Sequence, residues 1–150
     1  MLSKRKGSIC GIGSFVFLLL VWLAPVAVRA DDQILTSIDE ILSANPLKPG
    51  QPGQAIKIAQ DETISLQVQV AAAGMAVKRH IHKTHDETVY VVKGTGQLFI
   101  NDKWVDIKPG SLHFNPMGKV HTIKNTGNEP LVIISIYTPA MKEPDRQFVE

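Results

Sequence analysis

A chain of 150 residues with a single cysteine can hold neither a disulfide framework nor a thiolate metal cluster. Its net charge of +2 is scattered rather than gathered into a basic block, so no nucleic-acid footprint is present. The basic surplus belongs to residues 1–30, which hold Lys4, Arg5, Lys6 and Arg29 and no acid, leaving 12 basic against 14 acidic residues elsewhere.

In chain order, residues 1–30 read as a secretory signal peptide. The basic start precedes an apolar core from Phe15 to Ala24, and Val28-Arg29-Ala30 sets small residues where a signal peptidase cuts. Crossing a bilayer takes ~20 apolar residues, and Gly11, Gly13, Ser14 and Pro25 dilute the candidate span. Cleavage after Ala30 is therefore expected over an uncleaved anchor. The product would be periplasmic or secreted, without Cys10 and without membrane attachment.

Residues 31–55 are expected to form a short helix and a linker. Ser37-Ile38-Asp39-Glu40 has capping-box spacing. Ile34, Ile38, Ile41 and Leu42 fall on one helical face, and Asn45-Pro46 ends it. The turn-rich run Pro49-Gly50-Gln51-Pro52-Gly53 follows.

From Ala55 the period changes to two. Ile64, Leu66, Val68 and Val70 alternate with Ser65, Gln67 and Gln69, which predicts a half-buried strand. Further strands are expected at Thr88–Lys93, at Gln97–Ile100 and Trp104–Ile107 around the hairpin turn Asn101-Asp102-Lys103, at Ser111–Asn115 and at Leu131–Thr138. Many short strands separated by turns predict an all-β sandwich or barrel over residues 56–140. Residues 141–150 read as a polar C-terminal tail.

Two stretches within that region carry chemistry. The first is Gly74, five residues, His80-Ile81-His82, four residues, Glu87, six residues, Gly94. The second is Gly110, five residues, Pro116-Met117-Gly118, two residues, His121, three residues, Asn125. Side chains at i and i+2 of a strand share a face, so His80 and His82 point the same way. Imidazoles and a carboxylate suit a divalent first-row metal, namely iron, manganese, nickel, zinc or copper.

These stretches resemble the paired signature motifs of the cupin family, with fifteen residues between Gly94 and Gly110. The resemblance covers roughly residues 56–140. It implies a jelly-roll β-barrel with one divalent metal held inside by His80, His82, Glu87 and His121. It does not imply one reaction, because cupins include oxygenases, isomerases, lyases, decarboxylases and proteins that only bind. Dimers are frequent among such proteins. A homodimer is expected here, with the N-terminal helix or the strand near Ala55 available to swap across a partner.

Gly74, Gly94, Gly110 and Gly118 are expected to serve turns, Pro116 to set the turn presenting His121, and Asn125 to close the turn after it. Three residues are candidates for acid/base catalysis: His85 inside the ligand loop, His113 on the strand leading to His121, and Tyr90. His85 reads first as a solvated loop residue. His113 reads equally as a cavity-lining or a hydrogen-bonded core imidazole. Tyr90 and Tyr137 read as core residues or as donors to a substrate. Lys78 shares parity with the two ligand histidines and is a candidate to meet an anion, against the usual exposed lysine. Arg79 and Lys83 read as rim charges. Two functional classes follow: a metalloenzyme acting on a small molecule, and an envelope protein that binds a metal or small ligand without turnover.

Overall fold

In the computed structural model, which describes residues 33–149, each strand read from the alternation is present. The expected leader, its cleavage after Ala30 and Cys10 lie outside the described residues. Helix α1 (Ile38–Ala44) comes first. Strands β1 (Gly53–Gln60), β2 (Ser65–Ala71), β3 (His80–His82), β4 (Asp86–Lys93) and β5 (Gly96–Ile100) follow. Then come β6 (Lys103–Ile107), β7 (Leu112–Asn115), β8 (Thr122–Asn125), β9 (Leu131–Thr138) and β10 (Arg146–Phe148). Among the described residues no helix is long and apolar enough to cross a membrane.

The strands form a five-stranded sheet in the order β1-β2-β9-β4-β7, a three-stranded sheet β6-β5-β8 and a pair β10-β3, all antiparallel. This is the jelly-roll barrel that the resemblance implies. Val89, Val91, Leu98, Ile107, Leu131 and Ile133 make its inner core. Each such aliphatic side chain taken fully out of water stabilises by roughly 1.5–3 kcal/mol.

A second apolar layer lies on the outer face of the large sheet. Val68, Val70 and Val132 pack there against Ile38, Ile41, Leu42 and Leu47 from α1 and its exit. The capping box forms as expected: Ser37 Oγ accepts from Glu40 N, while Glu40 Oε2 accepts from Ser37 N at 2.8 Å. Ile34 lies ahead of the helix and is exposed, so it does not join the stripe. The helix packs on the outer face of the large sheet and β1 pairs with β2, both within the one chain.

The second layer corrects the reading of β2. Its valines face the helix, and Gln67, Gln69 and Ala71 turn into the barrel rather than to solvent. Strand β9 is buried on both faces for the same reason, which explains its unbroken apolar run.

The turns follow the residues that make them. Asn101 and Asp102 both have positive φ (48° and 60°) between the paired Ile100 and Lys103, giving a two-residue hairpin turn with Lys103 already in β6. Gly94 has φ 79°, and a Cβ there would stand 2.6 Å from the Pro130 carbonyl oxygen, so conformation and space both require glycine. Gly74, Gly110 and Gly118 also have positive φ. Asn125 closes its turn through Nδ2 to the Glu129 carbonyl (2.7 Å) and through Oδ1, which accepts from Gly127 N (2.9 Å).

Candidate metal centre

Strand β3 places His80 and His82 inward with Ile81 between them, as the two-residue period requires. His121 reaches the same place because its backbone exchanges two hydrogen bonds with His80, at 3.1 and 3.0 Å. The Pro116–Gly118 turn ahead of it is pinned twice: Gly118 N donates to the His82 carbonyl, and Met117 N donates to Asp86 Oδ1, each at 2.8 Å. Glu87 enters from β4 on the inward face that also carries Val89 and Val91.

These elements bring together one ring nitrogen from each of His80, His82 and His121, all within 4.8 Å of one another. All three residues and Glu87 are buried. Glu87 Oε2 lies 3.2 Å from His121 Nε2 and 3.7 Å from His82 Nε2, and accepts from Asn115 Nδ2 at 3.2 Å.

Each imidazole is oriented through its other nitrogen. His80 Nδ1 meets the Lys78 carbonyl at 2.9 Å, His121 Nδ1 meets the Lys119 carbonyl at 3.0 Å, and His82 Nδ1 meets Asp145 Oδ1 at 2.7 Å. The two carbonyls accept hydrogen bonds from Nδ1–H, which leaves Nε2 of His80 and His121 as the lone-pair nitrogen. Nε2 of His82 and of His121 is buried with no hydrogen-bond partner among the described residues. Such an orphaned atom costs ~1–3 kcal/mol, a penalty that coordination would relieve. Outer partners of this kind are what fix metal-binding histidines. The three histidines could therefore hold a metal ion.

The electrostatics agree. Burial pushes His80 down to about 4, so it is neutral and available as a ligand at neutral pH. Burial also works to lower His82, but contact with the Glu87 and Asp145 carboxylates outweighs it and the net shift is upward. Burial would raise Glu87, yet the neighbouring imidazoles of His121 and His82 hold it well below the usual carboxylate range. Tyr137 is pushed up, first by burial and then by the Glu87 charge, so its hydroxyl keeps its proton.

The remaining candidates separate cleanly. His113 is half-buried, lines the pocket beside Glu87 and His121, and has an unpartnered Nδ1, which makes it the cavity-lining imidazole. His85 is buried rather than solvated: Nδ1 meets Asp145 Oδ2 at 2.7 Å and Nε2 meets the Ala140 carbonyl at 3.3 Å, so both nitrogens are engaged by protein. Tyr90 is 44% exposed on the outer face of β4, because its parity is opposite to that of Glu87. It is thus neither core nor part of the site. Lys78 is exposed and contributes only its carbonyl, while Arg79 and Lys83 are exposed as expected.

Three participants were not singled out from sequence. Asp145 and Arg146 come from the stretch expected to be a polar tail, which instead forms β10 and pairs Arg146 with His82 and Phe148 with His80. Gln69 donates to the Tyr137 hydroxyl (2.8 Å) and to Ser135 Oγ (3.0 Å). Only Gln69 left a signal, a polar residue on a strand whose apolar face looks the other way.

Two cavities meet here. A pocket of about 30 Å³ lies among His80, Glu87, His113, Asn115 and His121. A chamber of about 610 Å³ adjoins it, and the two share Gln69, Val77, Ile123, Ile133 and Arg146 as walls. That larger volume is typical of a small-molecule site.

Comparison with known proteins bears on the same region. A family profile described as a Cupin domain matches residues 67–137. A glucose-6-phosphate isomerase of Thermococcus onnurineus is 36% identical over 67 residues, covering 40% of this chain and 35% of that protein. An oxalate-binding protein of Thermotoga maritima is 36% identical over 63 residues, covering 42% of this chain and 52% of that protein. The matches span between 35% and 69% of the length of the curated relatives. Among solved structures, a Klebsiella pneumoniae protein with a double-stranded beta-helix domain superposes with a TM-score of 0.66 at 21% identity, covering 79% of this chain and 99% of that one. That likeness speaks to the fold.

Proposed function

The chain belongs to the cupin family, and from that premise we propose that it is an exported metal-dependent enzyme acting on a small organic molecule. The observation that carries the metal is the oriented imidazole cluster, with Nδ1 of each ring engaged by protein oxygen and Nε2 of His82 and His121 left without a partner. His80, His82, Glu87 and His121 would hold one divalent cation from the set iron, manganese, nickel, zinc and copper. When bound, such an ion supplies Lewis-acid activation, or with iron the activation of dioxygen. The chain's own residues bind and orient the substrate beside it. The chamber offers mostly apolar walls to an apolar body, Tyr137 keeps a protonated hydroxyl next to Glu87, and His113, which burial lowers to about 4, presents a neutral imidazole with an unpartnered nitrogen at the pocket.

Isomerisation, elimination and oxygenation are the reaction classes open to this donor set, and the metal decides among them. The likeness to a glucose-6-phosphate isomerase supports the enzymatic reading. The likeness to an oxalate-binding protein favours a second reading, a protein of the cell envelope that captures a small ligand without turnover. In this reading residues 1–30 are a cleaved signal peptide, either activity lies in the periplasm or outside the cell, and the protein works as a homodimer.

The deciding experiment is elemental analysis of protein purified from its native compartment, beside the His82→Ala and His121→Ala variants. One metal per chain, lost in both variants, is expected, and metal-free native protein would overturn the reading. N-terminal sequencing of the same material should begin at Asp31. An intact species beginning at Met1 and held in the membrane would overturn export.

A further inference from the structure

The chamber is not chemically uniform. Its walls include Met75, Leu131, Ile133, Met141 and Phe148, an apolar set that fits a hydrocarbon body rather than a polyol. Polar groups are few, and two of them are already committed to each other, since the Tyr137 hydroxyl accepts from Gln69. A sugar-like ligand would leave most of its hydroxyls unpaired there, at a cost for each. A two-carbon dicarboxylate would leave most of the 610 Å³ unfilled.

One cation faces this space. Arg146 lines both the chamber and the metal pocket, so it stands at their junction. Its position is set by β10, whose backbone pairs Arg146 with His82. Among the described residues no carboxylate forms an ion pair with it, although Asp145 beside it is tied to both His82 and His85. A guanidinium presents a planar fork that matches a carboxylate bidentately.

We propose that the chamber takes a monocarboxylic acid with an apolar body, its carboxylate on Arg146 at the mouth of the metal pocket and its hydrocarbon against Met75, Ile133, Met141 and Phe148. The atoms next to the carboxylate then lie closest to the metal pocket, where the reaction would occur. This deepens the proposed function by naming its substrate class. It rests on that reading only for turnover, because the subsite itself is built from residues that are not metal ligands.

The test is calorimetric titration of the full protein, metal-loaded and chelator-treated, with octanoate, octanol, octyl phosphate and oxalate. Octanoate is expected to bind at least tenfold more tightly than octanol or oxalate. Arg146→Gln should weaken octanoate at least tenfold with metal content unchanged, while Arg146→Lys, which keeps the charge but loses the fork, should fall between. Octyl phosphate binding in preference to octanoate would overturn the carboxylate assignment. Oxalate binding as tightly as octanoate, or indifference of octanoate to both Arg146 variants, would overturn the subsite. Arg146-dependent octanoate binding in native protein that elemental analysis finds metal-free would sustain the subsite while the metal reading fails.

Discussion

Asp145 does at the residue scale what two main-chain carbonyls do elsewhere in the cluster: it fixes an imidazole by holding Nδ1. It differs in being a charged group that also grips His85 Nδ1 and the Thr84 amide and hydroxyl. Burial would raise its carboxyl, but the bonds from His82 and His85 lower it far below the ordinary value, so it is ionised across the physiological range. Asp145→Ala should therefore weaken metal binding by ~10–100-fold, the usual effect of losing an outer partner, while the four expected ligands stay in place. Competition with a chromogenic chelator measures this, and an unchanged affinity would show that His82 needs no such support. The histidines themselves were legible in the sequence because two-residue spacing in a strand is a local rule. Asp145 was not, because it lies 63 residues from His82 and only chain reversal brings them together.

At the scale of elements, β10 is the consequential one. Its three residues are exposed and pair only with β3, so it contributes little to the core. A chain ending at Glu143 should keep the far-ultraviolet circular dichroism of the barrel yet lose metal affinity at least as much as Asp145→Ala does. Collapse of the barrel in that truncation would mean that β10 is structural.

The β1–β2 turn allows a pH test. Asp61 Oδ1 accepts from the Ile64 amide, the Thr63 hydroxyl and the Thr63 amide, and the backbone bond from Ile64 leads in lowering its carboxyl. A carboxyl depressed on folding adds stability that is present above its unfolded value, ~3.9, and lost as pH falls through the folded value. Asp61→Ala should therefore melt lower than the parent at pH 7, and the gap should close on acidification. A gap independent of pH would assign the effect to something other than the carboxylate. The capping box and the period-two strands were readable in advance because both depend on neighbours in sequence. The inward turn of Gln67 and Gln69 was not, because it depends on which face α1 covers.

At the scale of the whole molecule, the five-stranded sheet ends at β7, where Leu112 and Phe114 are 69% and 57% exposed and lie opposite Tyr90 and Thr88 of β4. Met117, in the turn after β7, is also exposed, and the inward alternates His113 and Asn115 line the pocket. An unpaired edge bearing large apolar side chains invites a partner strand or face. The homodimer is accordingly expected to form through β7. Light scattering should give twice the chain mass for the parent and the single-chain mass for a Leu112→Lys, Phe114→Lys double variant. A monomeric parent at micromolar concentration would refute the dimer.

What the sequence determined by itself was everything governed by short-range geometry. The two-residue period set the strands and put His80 beside His82, glycines marked the positive-φ turns, and paired motifs pointed to the barrel and to three histidines that could hold a metal ion. What only the tertiary structure decided was which face of each strand is inside and which distant groups complete the site. Parity fixes that Tyr90 opposes Glu87, but whether a face meets helix, lumen or solvent depends on packing across the sheet. The tail became a strand for the same reason: three residues gain their hydrogen bonds from β3, and nothing in their own neighbourhood announces that partner.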